Sequence, residues 1–246
     1  MFGNQKSSNP VFGEKLFNQQ SAVGEEKMTV NGTLNKTFML SLLVFAGATI
    51  SWNNFFAGQN ITGLMLGGAI GGLIFALITI FKKEWAPITA PIYAFLEGLF
   101  LGGISAFFNA QFPGITLQAV ALTFGVLVSM IFIYRNNIIT VNDRFRGIMM
   151  MAVGSIFLVY MVSWIMSFFG GSIPFIHEGG IIGIGFSLVV VVIAGLSLLL
   201  DLDFIYKGSA AGLSKKLEWY GAFGLMVTLV WLYMEILRLL SKLRDE

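Results

Sequence analysis

Cysteine is absent from this 246-residue chain, and histidine occurs once, as His177. Without thiols there is no disulfide framework, no thiolate nucleophile and no cysteine-built zinc site, and one imidazole cannot make a histidine cluster. The redox compartment is therefore unreadable, and no cofactor is expected. Charge is scarce too: Asp, Glu, Lys and Arg together make up 11% of the residues, with a net charge of +2. The charges are dispersed, with no basic stripe of the kind that grips a phosphate backbone, so nucleic acid is excluded as a partner. The Gly183-Ile-Gly185 run has no preceding strand and no following Lys-Ser/Thr, so it is not a nucleotide loop.

What the chain has instead is apolar residues, 56% of the total, with a mean hydropathy of +0.81. Those values belong to a membrane protein. Windows of about 20 apolar residues, long enough to cross a hydrocarbon core, fall at 34–51, 61–81, 86–108, 116–134, 147–169, 180–200 and 219–240. Alternating ten-residue strands are missing, and a lipid-exposed backbone must satisfy its own hydrogen bonds, so the spans are helices. The expected fold is all-α and polytopic: a seven-helix membrane domain over residues 34–240. A mobile hydrophilic cytoplasmic tail, too polar for a signal-peptide core, precedes it at 1–33, and a short charged tail follows at 241–246.

Lys and Arg set the orientation. Lys82 and Lys83, then Arg135, Arg144 and Arg146, then Lys207, Lys215 and Lys216 fall in the loops after spans two, four and six; the loops after spans one, three and five have none. The amino terminus is then cytoplasmic, in a cell inner membrane. Arg238, Lys242 and Arg244 run against the rule, because a full seventh crossing puts them outside. Trp52, Trp85 and Trp219 near span ends read as interfacial anchors. Pro91, one turn after Pro87, is a candidate kink. Gly63, Gly67 and Gly71 of span two, with Gly68 and Gly72 alongside, and Ala94, Gly98 and Gly102 of span three form small-residue stripes that predict close packing of those two helices on each other.

Chemistry is carried by acids in or against greasy spans. Leu198-Leu-Leu-Asp-Leu-Asp-Phe204 runs directly into Asp201 and Asp203, Glu235 lies in span seven, and Glu97 lies near the middle of span three. An ionised carboxylate at the bilayer centre costs about 2.5–3.5 kcal/mol on insertion scales, so such acids are protonated, paired or face a wet cavity. Two that approach closely share one proton and titrate together. If the chain reverses near 208–212, Glu218 is level with Asp201, whereas Glu235 is about 25 Å further along a straight helix; spacing alone prefers Asp201 with Glu218. The alternative is that Asp201 and Asp203 merely occupy the headgroup region. Lys82 and Lys83 close span two on the same side and are candidates to latch the acids, although anchoring explains both. His177 and Glu178 read as solvated loop residues.

Leu199-Leu-Asp-Leu-Asp, Leu232-Tyr-Met-Glu and Phe95-Leu-Glu-Gly-Leu together resemble the Bax inhibitor-1-like, or transmembrane Bax inhibitor motif, family over about residues 34–240, and most of all its bacterial branch with a hydrophilic tail. The resemblance implies six helices packed around a central seventh. It also implies a paired-carboxylate proton sensor at Asp201 and Glu235 beside a cation path, with Lys82 as the latch. The chain departs from the better-known sensors in having Glu rather than Asp in span seven, Lys rather than Arg at the latch, and Glu97 where a small hydroxyl is common. Lys lacks the planar fork of Arg and latches more loosely.

The function this implies is a pH-sensitive calcium leak channel. Protons or calcium are the sensed or permeant ions, calcium is held at most transiently at Asp201 and Glu235, and no metal is tightly bound. The competing reading is a non-conducting regulator of another membrane protein, such as a quality-control protease, reached through Asn9-Pro-Val-Phe of the tail or through the glycine-rich face. Enzyme readings fall away: an intramembrane aspartyl protease lacks its Gly-x-Gly-Asp, and a retinal photoreceptor lacks an interior Lys in span seven.

Overall fold

The computed structural model describes residues 26–169 and 180–245. The expected tail is therefore described only from Glu26 onward, and Asn9-Pro-Val-Phe, His177 and Glu178 lie outside the described residues. Seven helices follow one another: α1 (Val30–Phe56), α2 (Thr62–Phe81), α3 (Ala86–Gln111), α4 (Ile115–Arg135), α5 (Asp143–Phe168), α6 (Ile181–Ala210) and α7 (Leu217–Arg244). A short 3-10 turn, Lys83–Trp85, joins α2 to α3. Each of the seven is long and apolar enough to cross a membrane, and no strand occurs among the described residues. Phe38, Phe45, Leu66, Ile70, Phe132, Phe157 and Ile181 are all more than half exposed, an apolar surface of the kind that lipid covers. The chain is a multi-pass membrane protein.

The helix ends have local causes. Thr29 is extended and caps α1, its hydroxyl accepting from Gly32 N–H at 3.0 Å, and Asn142 caps α5 through Phe145 N–H. The α6–α7 turn is a Schellman motif: Leu213 N–H donates to Gly208 C=O and Gly212 N–H to Ser209 C=O, both at 3.1 Å, with Gly212 at φ +68°. That left-handed position is why a glycine stands there. The helix α3 is continuous through Pro91.

Two compact units divide the described residues. One is built from α1, α2 and α3 with residues 201–227 of the last two helices; the other holds α4 from Leu117, α5, and residues 181–200 and 228–245.

In the first unit α3 packs on both α1 and α2, and the glycines decide how closely. A Cβ on Gly98 would lie 2.9 Å from Val44 Cα, one on Gly102 2.7 Å from the Ala48 carbonyl carbon, and one on Gly47 3.0 Å from Leu99 N. The Gly98 and Gly102 stripe of α3 thus receives α1, not α2 as the sequence suggested. The α2 contact instead uses Gly68, where a Cβ would meet Leu96 O at 2.6 Å, and Gly72. Gly63 and Gly67, expected in that contact, have nothing within 4 Å of where a Cβ would be, and Gly71 faces only the Leu96 side chain. The reason for the correction is rotational: Gly68 and Gly72 lie one residue, about 100° around the helix, from the stripe that spacing picked out. Thr79 and Thr89, both buried, join the same two helices by a 2.7 Å hydroxyl hydrogen bond.

In the second unit, Gly195 of α6 faces Val126 and Met130 of α4, and Tyr160 of α5 meets Phe186 of α6 edge to face at 6.2 Å.

Candidate functional site: buried acids and their partners

Eight consecutive residues of α6, Leu198 to Ile205, are buried, Asp201 completely and Asp203 to 4% exposure. A helix stretch enclosed on every face has no side left for lipid headgroups. Asp201 and Asp203 are therefore inside the protein, against the alternative that they sit at the interface. Asp203 pairs with Lys207 one turn on, at 2.9 Å to either carboxylate oxygen. The spacing is i to i+4, with the acid nearer the amino terminus, the favourable order on a helix.

Glu97 of α3 is half-buried, and its Oε2 lies 2.8 Å from where a Cβ on Gly72 would be. Gly72 is thus not only a packing residue: its missing side chain is the space the Glu97 carboxylate occupies. The ring of Tyr93, one turn before Glu97, meets Phe223 of α7 at 5.0 Å.

Glu218, in the first turn of α7, is 1% exposed and is held entirely from the other end of the sequence. Thr29 donates to its Oε1 from both the backbone N–H (2.8 Å) and the hydroxyl (2.9 Å), and Lys36 of α1 forms an ion pair with Oε2. Thr29 thereby caps α1 and binds α7 with one side chain. Gly32 makes this possible, since a Cβ there would fall 2.5 Å from the Glu218 carboxyl carbon. The segment preceding α1 is strapped to the α6–α7 turn as well. Met28 N–H donates to Leu213 C=O (2.7 Å) and Lys215 N–H to Glu26 C=O (2.8 Å), on either side of an antiparallel bridge between Lys27 and Ser214. The Met28 side chain is 1% exposed. The Lys215 ammonium pairs with the Glu26 carboxylate, whose hydrogen bond and charge hold the lysine above its ordinary value of 10.5.

Of the two lysines ending α2, Lys82 is exposed and makes no ion pair among the described residues, while Lys83 lies over the Tyr220 ring at 5.5 Å. The residue expected from sequence as the latch is thus exposed, and its neighbour is the one that lies over a ring of α7.

In the second unit Glu235 is 2% exposed and belongs to a closed triad. Tyr160 of α5 donates its hydroxyl hydrogen to Oε2 at 2.9 Å. Arg238 donates from Nη1 to both carboxylate oxygens at 3.1 Å and to the Tyr160 hydroxyl oxygen at 2.9 Å, and its guanidinium lies over the Tyr160 ring. The other cations that ran against the charge rule are also tied down. Lys242 is buried and donates to Gly183 C=O and the Ser187 hydroxyl, and Arg244 donates to Gln118. These contacts join α7 to α4, α5 and α6. The helix α7 is also the most enclosed of the seven, with 61% of its most apolar window buried against 17–44% elsewhere. Arg238 and Lys207 were within reach of sequence reasoning, at i+3 and i+4 from their acids. Thr29 and Lys36 were not, because they lie 189 and 182 residues from Glu218.

Chemically, Asp203 and Glu218 in the first unit and Glu235 in the second are buried carboxylates that accept hydrogen bonds from cations, and Glu218 and Glu235 accept from hydroxyls as well. Among the described residues no three Asp, Glu or His side chains gather as a metal site. No curated protein and no solved structure is matched by the chain. The family model described as Bax inhibitor 1 like matches residues 9–245, taking in most of the amino-terminal segment that the sequence resemblance had left out. A match over nearly the whole length, on a chain of seven apolar helices, makes this protein a member of the Bax inhibitor 1 like family.

Proposed function

We propose that the protein is a pH-sensitive cation leak of the cytoplasmic membrane, with calcium as its ion and its amino terminus in the cytoplasm. One observation carries this reading: Asp201, Asp203, Glu218 and Glu235 are each less than 5% exposed within apolar helices. Holding four carboxylates out of water is costly unless they are protonated or partnered, so a chain that retains them uses them. Oxygen-rich, weakly binding positions suit a hard cation that must enter and leave. Asp201 and Glu235 are the two titrating acids on this reading, and Glu97 adds a third. The protein is not an enzyme.

The test is calcium efflux from proteoliposomes holding wild type, Asp201→Asn or Glu235→Gln, measured across acidic to neutral pH. Wild type is expected to leak calcium with a pH-dependent rate, and each substitution to change the rate about tenfold, equivalent to about 1.4 kcal/mol, and to flatten the pH profile. Unchanged rate and profile in both variants would remove the mechanism and leave a non-conducting regulator as the better reading. Peptide cleavage by the same proteoliposomes is expected to be absent.

A further inference from the structure

At the amino-terminal ends of α1 and α7 lies an open groove of about 740 Å³, lined by Lys27, Asn35, Lys36, Met39, Lys215 and Trp219 among others. A second hollow of about 370 Å³ shares Lys36, Lys215 and Trp219 with it and adds Lys216 and Pro87. Four lysines face two carboxylates, Glu26 and Glu218. Those two are neutralised by Lys215 and Lys36. The excess positive charge therefore rests on Lys27 and Lys216, both exposed and neither in an ion pair among the described residues. Polarity changes along the groove. Asn35, Met39 and Leu42 recur at i, i+4 and i+7 on one face of α1, and Met39 (51%) and Leu42 (54%) are exposed to whatever surrounds the helix. Trp219 is half-buried at the boundary, with the Lys36 ammonium 5.5 Å over its ring.

Cations at one end, an indole at the border and a bare apolar helix face beyond it match one kind of molecule. We propose that this groove binds an anionic phospholipid, its phosphate among Lys27 and Lys216 and an acyl chain along Met39 and Leu42 of α1. A free anion would meet only exposed, screened ammonium groups, which hold little on their own. The acyl chain supplies the remainder by leaving water for apolar surface, and in a bilayer the lipid is always at hand. The inference rests on the chain being a membrane protein and not on its conducting ions.

The test is titration of the detergent-solubilised full chain with phosphatidylglycerol, phosphatidylcholine or glycerol 1-phosphate, read as the thermal unfolding midpoint. Phosphatidylglycerol is expected to raise the midpoint at concentrations at least about fivefold below those phosphatidylcholine needs. In the Lys27→Gln, Lys216→Gln variant half-saturation is expected to weaken by about fivefold per lysine. Both lysines are exposed, so the variant should unfold like wild type when no lipid is added. Met39→Gln is expected to weaken both lipids alike. Equal response to the two lipids, or a double variant that binds phosphatidylglycerol as wild type does, overturns the proposal. An equal rise with glycerol 1-phosphate alone also overturns it, by assigning the groove to free anions. No ion flux enters the measurement, so failure of the leak reading cannot be mistaken for failure here.

Discussion

Glu218 is the acid whose surroundings are most completely defined, and they make it a structural residue first. Its carboxylate takes two donors from Thr29 and an ammonium from Lys36, and it fills the space above Gly32. Removing one partner of a buried pair leaves a charge with nothing to offset it, at a cost of about 3–5 kcal/mol. Lys36→Ala is therefore expected to lower the unfolding midpoint sharply. Gly32→Ala should do the same by pushing the carboxylate away, and Lys36→Ala with Glu218→Gln should recover much of the loss. A double variant no better than Lys36→Ala alone would show that the pair contributes little. The strap's outer contact behaves differently with pH. Lys215 is held above the ordinary lysine range, so its contribution is complete below that range and is lost only as pH rises through the elevated value. A response of the protein near neutral pH does not come from this lysine. Legibility at this scale follows sequence distance. Arg238 beside Glu235 and Lys207 beside Asp203 obey helix spacing that can be read off the chain. The Thr29 and Lys36 contacts close over most of its length, and nothing in local pattern announces them.

The helices themselves were the most legible feature, because a lipid-crossing segment is specified by its own composition and needs no partner to be seen. What composition could not supply was which helix meets which. Gly98 and Gly102 form a stripe in any reading, but only the fold shows α1 against it, and Gly72 turned out to make room for the Glu97 carboxylate. The start of α1 was also placed late, at residue 34 rather than Val30, because Thr29-Val-Asn-Gly-Thr reads as polar tail until Thr29 is seen capping a helix. The strap before it was invisible, since a single bridge has no periodicity. That bridge is checkable because the chain has no cysteine of its own. Lys27 and Ser214 form the pair flanked by, rather than sharing, the two backbone hydrogen bonds. Such pairs have Cα atoms about 4.5 Å apart, inside the range a disulfide spans. A Lys27→Cys, Ser214→Cys chain is expected to form an intramolecular disulfide under mild oxidation, seen as faster migration on a non-reducing gel. The disulfide should raise the unfolding midpoint relative to the reduced form. No disulfide, or one formed only between molecules, would mean that Glu26 to Thr29 do not rest on the α6–α7 turn.

Taken across the whole chain, the charge pattern and the helix count make one joint statement about sidedness. Seven full crossings would put the α2–α3, α4–α5 and α6–α7 connections on the side of the amino terminus and the others opposite. Lys82, Lys83, Lys215 and Lys216 lie in connections of the first side, with Arg135 and Arg144 at the helix ends that border its α4–α5 connection, the arrangement expected of a cytoplasmic side. Arg238, Lys242 and Arg244 argue for the reverse at the carboxyl end. Each is bound to a carboxylate, a carbonyl, a hydroxyl or an amide oxygen within its own unit, so the side on which they lie is a matter for experiment. The absence of cysteine makes this testable one position at a time. Single substitutions Lys82→Cys, Asn137→Cys and Lys216→Cys are expected to resist a membrane-impermeant maleimide in intact cells and to react in inverted vesicles. Gln59→Cys, on the α1–α2 connection, and Gln111→Cys, at the exposed end of α3, should react in intact cells. The Asp245→Cys chain decides the last crossing: labelling from outside requires α7 to traverse the bilayer with its three cations. Labelling only in inverted vesicles would mean that both ends of the chain share the cytoplasm, leaving six crossings. Glu235 and Arg238 would then belong to a helix that does not cross, and a proton- or ion-conducting role for Glu235 would lose its physical basis.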